Sequence, residues 1–176
     1  MTQAVKISEP KTGRRARAGF PRRGHDHGPC VEDAVSRAAE LCARRGLPLT
    51  ESRRRVLELV WRSHKPIGAY EILARLRRRG RTAAPPTVYR ALDFLLDQGF
   101  VHRIESQSAF VGCAHPEAVH AGQFLICGSC GVAAELNDSR IQKAIAKSAK
   151  TAGFSVERQT IELRGLCPRC QPRRKR

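Results

Sequence analysis

Four of the seven cysteines fall in two Cys-x-x-Cys knuckles, Cys127 and Cys130 in FLICGSC and Cys167 and Cys170 in CPRC, with 36 residues between them. A thiolate pair at i, i+3 on a tight turn holds two corners of a tetrahedron, so two such pairs make a closed four-cysteine zinc site. Turn residues surround both knuckles: Gly128 and Gly131 at the first, Gly165 and Pro168 at the second. The competing reading is a pair of disulfides, which a reducing compartment disfavours. An odd cysteine count and an Arg-rich N-terminus without an apolar signal segment point to the cytoplasm. The wide gap means that the metal staples two ends of a folded unit.

A second group of ligating residue types lies between and before the knuckles. His102, Cys113, His120 and Glu135 offer two imidazoles, one thiolate and one carboxylate. Their two negative charges balance a zinc ion, and the thiolate argues against magnesium or manganese. Each residue also has a plainer reading. His102 suits a phosphate contact, Cys113 a small buried position, and Glu135 an arginine partner, while His115 competes with His120 as a ligand. His25, His27 and Cys30, in GHDHGPC, are read as incidental.

These residues need elements to hold them. Residues 1–30 lack periodicity and carry Gly, Pro and Arg in excess, which reads as a disordered basic arm. A helix is predicted over 31–45, with Val35, Ala38, Ala39 and Cys42 on one face. Thr50 caps a second helix to about Ser63, with Val56, Leu59 and Val60 as its buried stripe and Leu57 beside it. A third runs from Ala69 to Arg79, and a fourth from Pro86 to Gly99 with Val88, Ala91, Leu92, Leu95 and Leu96 as its stripe. Thr87, Tyr89 and Arg90 stand near the polar tip of that fourth helix. Residues 101–104 and 109–112 form a hairpin. Helices followed at once by a hairpin describe a winged helix-turn-helix over 31–112.

Residues 113–123 read as a linker carrying metal ligands. The second unit, 124–170, has strands at 124–126, 132–136 and 155–163, and a helix capped by Asp138 or Ser139 with Ile141, Ala144, Ile145 and Ala149 inward. Its open sheet edges favour pairing with a second copy. Residues 171–176 are a basic tail. The fold class is α+β: a winged helix-turn-helix domain, then a small α/β dimerisation domain with a four-cysteine zinc site.

Charge supports a polyanionic partner. The chain carries +17, of which +5 lies in residues 1–29, +6 in 31–105 and +4 in the last six. Double-stranded DNA is the partner that fits, rather than a membrane or a small organic substrate. No run of apolar residues is long enough to span a bilayer. No His-Glu-x-x-His occurs, and neither donor set leaves an evident open position for water, so no catalytic residues are assigned and the chain is read as a non-enzyme.

HKPIGAYEIL, PPTVYRALDFLLDQGFVHRIES, FLICGSCG and the later GLCPRC together resemble the ferric uptake regulator family of bacterial metal-sensing repressors, most closely its zinc-sensing branch. The resemblance runs from about residue 31 to 170. It implies a homodimer whose structural zinc is held by Cys127, Cys130, Cys167 and Cys170 and whose regulatory zinc is held by His102, Cys113, His120 and Glu135, two ions per chain. It also places Tyr70 and Arg90 at DNA-contacting positions. The implied function is zinc-responsive repression of zinc-uptake genes at a palindromic operator, with an iron- or peroxide-responsive sibling as the alternative. The His-rich run of iron-sensing members is reduced here to His120-Ala-Gly-Gln-Phe, which argues against iron.

Overall fold

The computed structural model describes residues 19–20, 26–78, 84–118 and 122–172. Most of the basic arm, the end of the third predicted helix at Arg79, the ligand candidate His120 and the last four residues lie outside the described residues.

Four helices build the first core: α1 Gly28–Arg44, α2 Glu51–Trp61, the shorter α3 Ala69–Arg77 and α4 Pro85–Asp97. The 3.6-residue stripes of α2 and α4 are buried as predicted, except that Leu96 is only partly covered. On α1 the buried set is Ala38, Leu41 and Cys42, whereas Ala39 is exposed. Leu41, rather than Ala39, completes the buried face of α1. The helix also starts three residues before the predicted Val31, since Pro29 is tolerated in a first turn where its missing N–H has no intrahelical partner. Both Pro85 and Pro86 open α4 for the same reason. Gly99, at φ +74°, closes that helix in the left-handed region a side chain would disfavour.

The wing is a hairpin of β2 Val101–Ile104 and β3 Ala109–Gly112, joined by a 3-10 turn at Glu105–Gln107 with Ser108 at φ 47°. A two-residue strand unforeseen in the sequence, β1 Ile67–Gly68, pairs with β3 and gives the order β1-β3-β2. Register explains how the hairpin serves two partners. His102 faces Val111 and Ile104 faces Ala109, so these share one face, while Val101, Arg103, Phe110 and Gly112 share the other. Val101 and Phe110 close the helical core. Ile104 and Val111 instead pack with Phe124, Ile126 and Ala133 of the second unit.

That second unit is a sheet of order β5-β4-β6: β4 Gly122–Cys127, β5 Ala133–Glu135 antiparallel to it, and β6 Thr160–Gly165 parallel to it. Helix α5, Ser139–Thr151, crosses between β5 and β6, and the Asp138 carboxylate accepts from the Arg140 amide at its start. Two expectations are corrected here. The third strand begins at Thr160, five residues after the predicted start: α5 ends at Thr151, and the residues between belong to the connection that leads back to the sheet. And Ile141, Ala144, Ile145 and Ala149 are not buried within the chain: no α5 residue is. No helix among the described residues is long and apolar enough to cross a membrane.

Candidate metal centres and DNA-reading face

The two knuckles meet because β4 and β6 run parallel and end together, Cys127 opposite Gly165. Each strand then enters a turn. The Gly131 amide donates to the Cys127 carbonyl at 2.9 Å, with Gly131 at φ +73°, and the Cys170 amide donates to the Cys167 carbonyl at 2.9 Å. The Gly128 amide bonds the Gly165 carbonyl at 2.8 Å and ties the turns to each other. As a result the sulfurs of Cys127, Cys130, Cys167 and Cys170 all lie within 4.8 Å of one another. Cys130 Sγ and Cys167 Sγ are 3.8 Å apart. A tetrahedral zinc with Zn–S bonds of about 2.3 Å has sulfur–sulfur edges of about 3.8 Å, so the donor set fits that ion.

The electrostatics of this cluster also suit a cation. The Cys167 amide, donating to Cys127 Sγ at 3.4 Å, and then the Cys130 amide bring the Cys127 thiol down to about 6. At Cys170 the Ser129 hydroxyl acts to lower the pKa, but the neighbouring thiol of Cys167 and burial outweigh it and push the group up to about 11. Four sulfurs this close cannot all ionise without a positive charge among them.

The second set is drawn from three elements. His102 comes from the wing strand β2, Cys113 from the residue after β3, and Glu135 from β5; their ligating atoms lie within 4.8 Å of one another. His102 Nε2 is 3.3 Å from Glu135 Oε1, close to the edge of about 3.3 Å expected of a tetrahedron with bonds of about 2.0–2.1 Å. Burial would lower the imidazole pKa, but the Cys113 sulfur and then the Glu135 carboxylate outweigh it and raise His102 to about 9. Three donors of mixed type in a partly buried cleft fit a borderline-soft divalent ion. The fourth predicted donor, His120, lies outside the described residues, two positions before Gly122. A Cβ on Gly122 would meet the Phe124 ring at 2.8 Å and His102 Nδ1 at 3.8 Å, so β4 begins beside the His102 ring. His115 is described and exposed, 3.9 Å from Glu117, and is not among the converging donors. Of the incidental group, His27 packs against His64 at 4.8 Å between centroids, and His25 lies outside the described residues.

Several supports of this set escape sequence reasoning. Gly112, on the helix-facing side of the wing, lies against Trp61 so closely that a Cβ there would overlap the indole. Its position beside Cys113 was the only local sign. On the linker side, Arg37 donates to the Ala114 carbonyl at 3.3 Å. Arg45 bonds the Gln98 carbonyl at 2.9 Å and the Pro116 carbonyl at 3.4 Å, joining the end of α4 to the linker. No signal within either arginine's own segment indicates these long-range contacts.

The predicted DNA-contacting residues share one exposed region. Thr87, Tyr89 and Arg90 are exposed on the first turns of α4. Tyr70, 78% exposed at the start of α3, reaches the Tyr89 phenol, whose pKa is raised by burial and then by that neighbour. Two large aromatic side chains left in solvent beside an arginine and a helix N-terminus form a surface suited to phosphates and base edges.

Comparison with known proteins agrees with this architecture. The model of the ferric uptake regulator family matches residues 44–164. The zinc uptake regulation protein of Escherichia coli K12 is 38% identical over 141 residues, covering 80% of this chain and 82% of that protein. A solved structure of a zinc uptake regulator complexed with zinc and DNA superposes with a TM-score of 0.76 at 38% identity, covering 80% of this chain and 94% of that one. The crystal structure of holo XcZur gives 0.73 at 46% identity, covering 78% and 96%.

Proposed function

The chain belongs to the ferric uptake regulator family, and from that premise we propose that it is a zinc-responsive, DNA-binding transcriptional repressor of zinc-uptake genes that acts as a homodimer. The observation that carries the reading is the second donor set. His102, Cys113 and Glu135 converge from the wing, the start of the linker and the second sheet, apart from the four cysteines that close the knuckles. A ligand held by all three favours one arrangement of wing against sheet. With His120 they would hold a regulatory zinc, while Cys127, Cys130, Cys167 and Cys170 would hold a structural one, two ions per chain. The structural ion supplies cross-linking of the β4 and β6 ends. The thiolate among the regulatory donors and the shortened His run disfavour iron as the signal.

The reading face belongs to α4. Arg90 would meet a base edge in the major groove, with the bidentate geometry guanine offers. Thr87 and Tyr89 would touch neighbouring bases or backbone, and Tyr70 a phosphate. Dimerisation is supported by the apolar face that α5 leaves uncovered, continued by Phe154 at 68% and Val156 at 42% exposure. A two-fold dimer reads a palindrome with half-sites about one helical turn apart. To convert a nearly silent repressor into a nearly saturated one, the regulatory ion must favour the DNA-competent arrangement by about 5.5 kcal/mol.

The test is DNA-binding anisotropy on genomic fragments against buffered free zinc, with ferrous iron in parallel. Binding that rises steeply with zinc and ignores physiological iron is expected. Binding indifferent to zinc overturns the sensor reading.

A further inference from the structure

The face of the second sheet that meets the wing carries a row of three side chains. Phe124 on β4 is in register with Glu135 on β5 and with Glu162 on β6, and cross-strand partners project to the same face. Two members of the row are accounted for. Glu135 pairs with His102, and Phe124 packs edge-on against the same imidazole with centroids 5.2 Å apart. Glu162, at the opposite end, belongs to neither metal set nor to the reading face. Its Oε1 accepts the Glu105 amide at 2.6 Å, and its Oε2 accepts the Ser106 amide at 3.3 Å. Both amides lie in the turn joining β2 to β3, on the strand pair that carries His102 and leads into Cys113.

We propose that Glu162 is a positioning residue: a metal-independent clasp that fixes the angle of the wing on the dimerisation sheet, so that His102 is delivered to Cys113 and Glu135. The row spans two strand spacings, so the Glu135 and Glu162 backbones stand about 10 Å apart. The apolar packing of Ile104 and Val111 presses the hairpin onto the sheet without direction, whereas polar bonds at both ends of the row fix its angle. Charge-assisted bonds from a carboxylate to backbone N–H groups are the stronger kind, and here both oxygens are engaged. The clasp has a firm base, because β6 leads from Glu162 through Gly165 into the knuckle at Cys167. It also reaches the reading face, because only residues 98–100 separate α4 from β2. A change in hairpin angle is therefore passed to α4.

The DNA consequence rests on the repressor reading, but the positioning itself can be measured without DNA. The experiment uses the full chain with zinc in the four-cysteine site, as the parent, Glu162→Ala and Glu162→Gln. Amide hydrogen exchange is followed at Glu105 and Ser106, and zinc affinity at the second set is found by chelator competition. In Glu162→Ala the two amides are expected to exchange about tenfold faster, and zinc affinity to fall about fivefold to tenfold. Glu162→Gln, which keeps one carbonyl acceptor, should lie between parent and alanine variant, and it carries the test if the alanine variant fails to fold. Unchanged protection of both amides overturns the clasp. Lost protection with zinc affinity within twofold of the parent overturns its positioning role. Operator affinity at saturating zinc should fall with zinc affinity; a parent whose DNA binding ignores zinc would sink the repressor reading while leaving the clasp to be judged by exchange and zinc affinity.

Discussion

The two donor sets differ in where their ligands come from. The four cysteines belong to a single unit and sit on turns that end adjacent parallel strands, so the backbone bonds around them, 2.8 to 2.9 Å long, already bring the sulfurs together. The second set spans two units: His102 on the wing, Cys113 just after it, and Glu135 on the sheet. Its donors meet only when the wing lies against that sheet. An ion in the first place would act as a folding element, whereas one in the second would sense and fix an orientation. Similar ligand chemistry thus has opposite consequences, decided by the number of rigid bodies that supply the donors.

Cys127→Ser is the sharpest way to break the comparison. Zinc in small four-ligand domains stabilises the fold by about 10–16 kcal/mol near neutral pH, so this variant should lose its zinc, the structure of residues 122–172 and the dimer. Circular dichroism, metal analysis and sedimentation read all three. Cys113→Ser should leave fold, dimer and structural zinc intact while weakening zinc affinity at the second set about 100-fold or more, seen as a rightward shift of the zinc-dependent anisotropy curve. If the two variants behave alike, the division into a structural and a regulatory site is wrong. Arg90→Ala touches neither set. It should reduce operator affinity about 10- to 100-fold, with zinc content and low-salt non-specific binding preserved; retained operator affinity would remove Arg90 from base reading.

Gly112→Ala is a finer probe, because it disturbs the second set without altering a ligand. The new methyl group would overlap Trp61, and overpacking of this kind costs about 1–3 kcal/mol. Relief by moving β3 would displace the adjacent Cys113. A roughly tenfold loss of zinc affinity at the second set is therefore expected, with the four-cysteine site unaffected. Restoration by a second change, Trp61→Leu, would show that the indole is the cause. A Gly112→Ala protein with parental zinc affinity would mean that Cys113 is not positioned through this contact.

What could be read from the sequence follows the same division between local and long-range. The knuckles, Gly99, the stripes of α2 and α4, the Asp138 cap and the hairpin are encoded by residues close together in the chain. The close approach of Trp61 to Gly112, the Arg45 bonds to Gln98 and Pro116, and the two-residue strand at Ile67 join segments far apart. They have no periodicity to announce them. The late start of β6 has another origin. Val156, Ile161 and Leu163 do not keep a strict two-residue alternation, and Val156 at 42% exposure belongs to the crossover rather than the sheet. The apolar side of α5 was legible as a face but not as an uncovered one, because periodicity does not reveal what covers a helix.

The last prediction concerns the proton held by His102. In the chain without a regulatory ion, His102 is raised from 6.5 to about 9, with burial opposing and Cys113 and Glu135 prevailing. A raised pKa means that the imidazolium's interactions contribute stability fully below about 6.5, and that this contribution is lost as pH rises through about 9. At neutral pH the ring is therefore protonated, and any ion that takes its lone pair must displace that proton. Zinc affinity at the second set should then climb between pH 6.5 and 8.5, by up to about tenfold per unit for this single proton. No histidine belongs to the first set, where the proton given up to zinc comes instead from thiols such as Cys170, pushed up to about 11, so the His102 ring is isolated by its own variant rather than by pH alone. The measurement is chelator competition across that range, with calorimetry in buffers of different ionisation enthalpy to count released protons. His102→Gln should remove the proton release that belongs to this ring and flatten the profile accordingly. A flat profile in the parent would mean that His102 enters the site already neutral, and that Glu135 is not its ion-pair partner before zinc arrives.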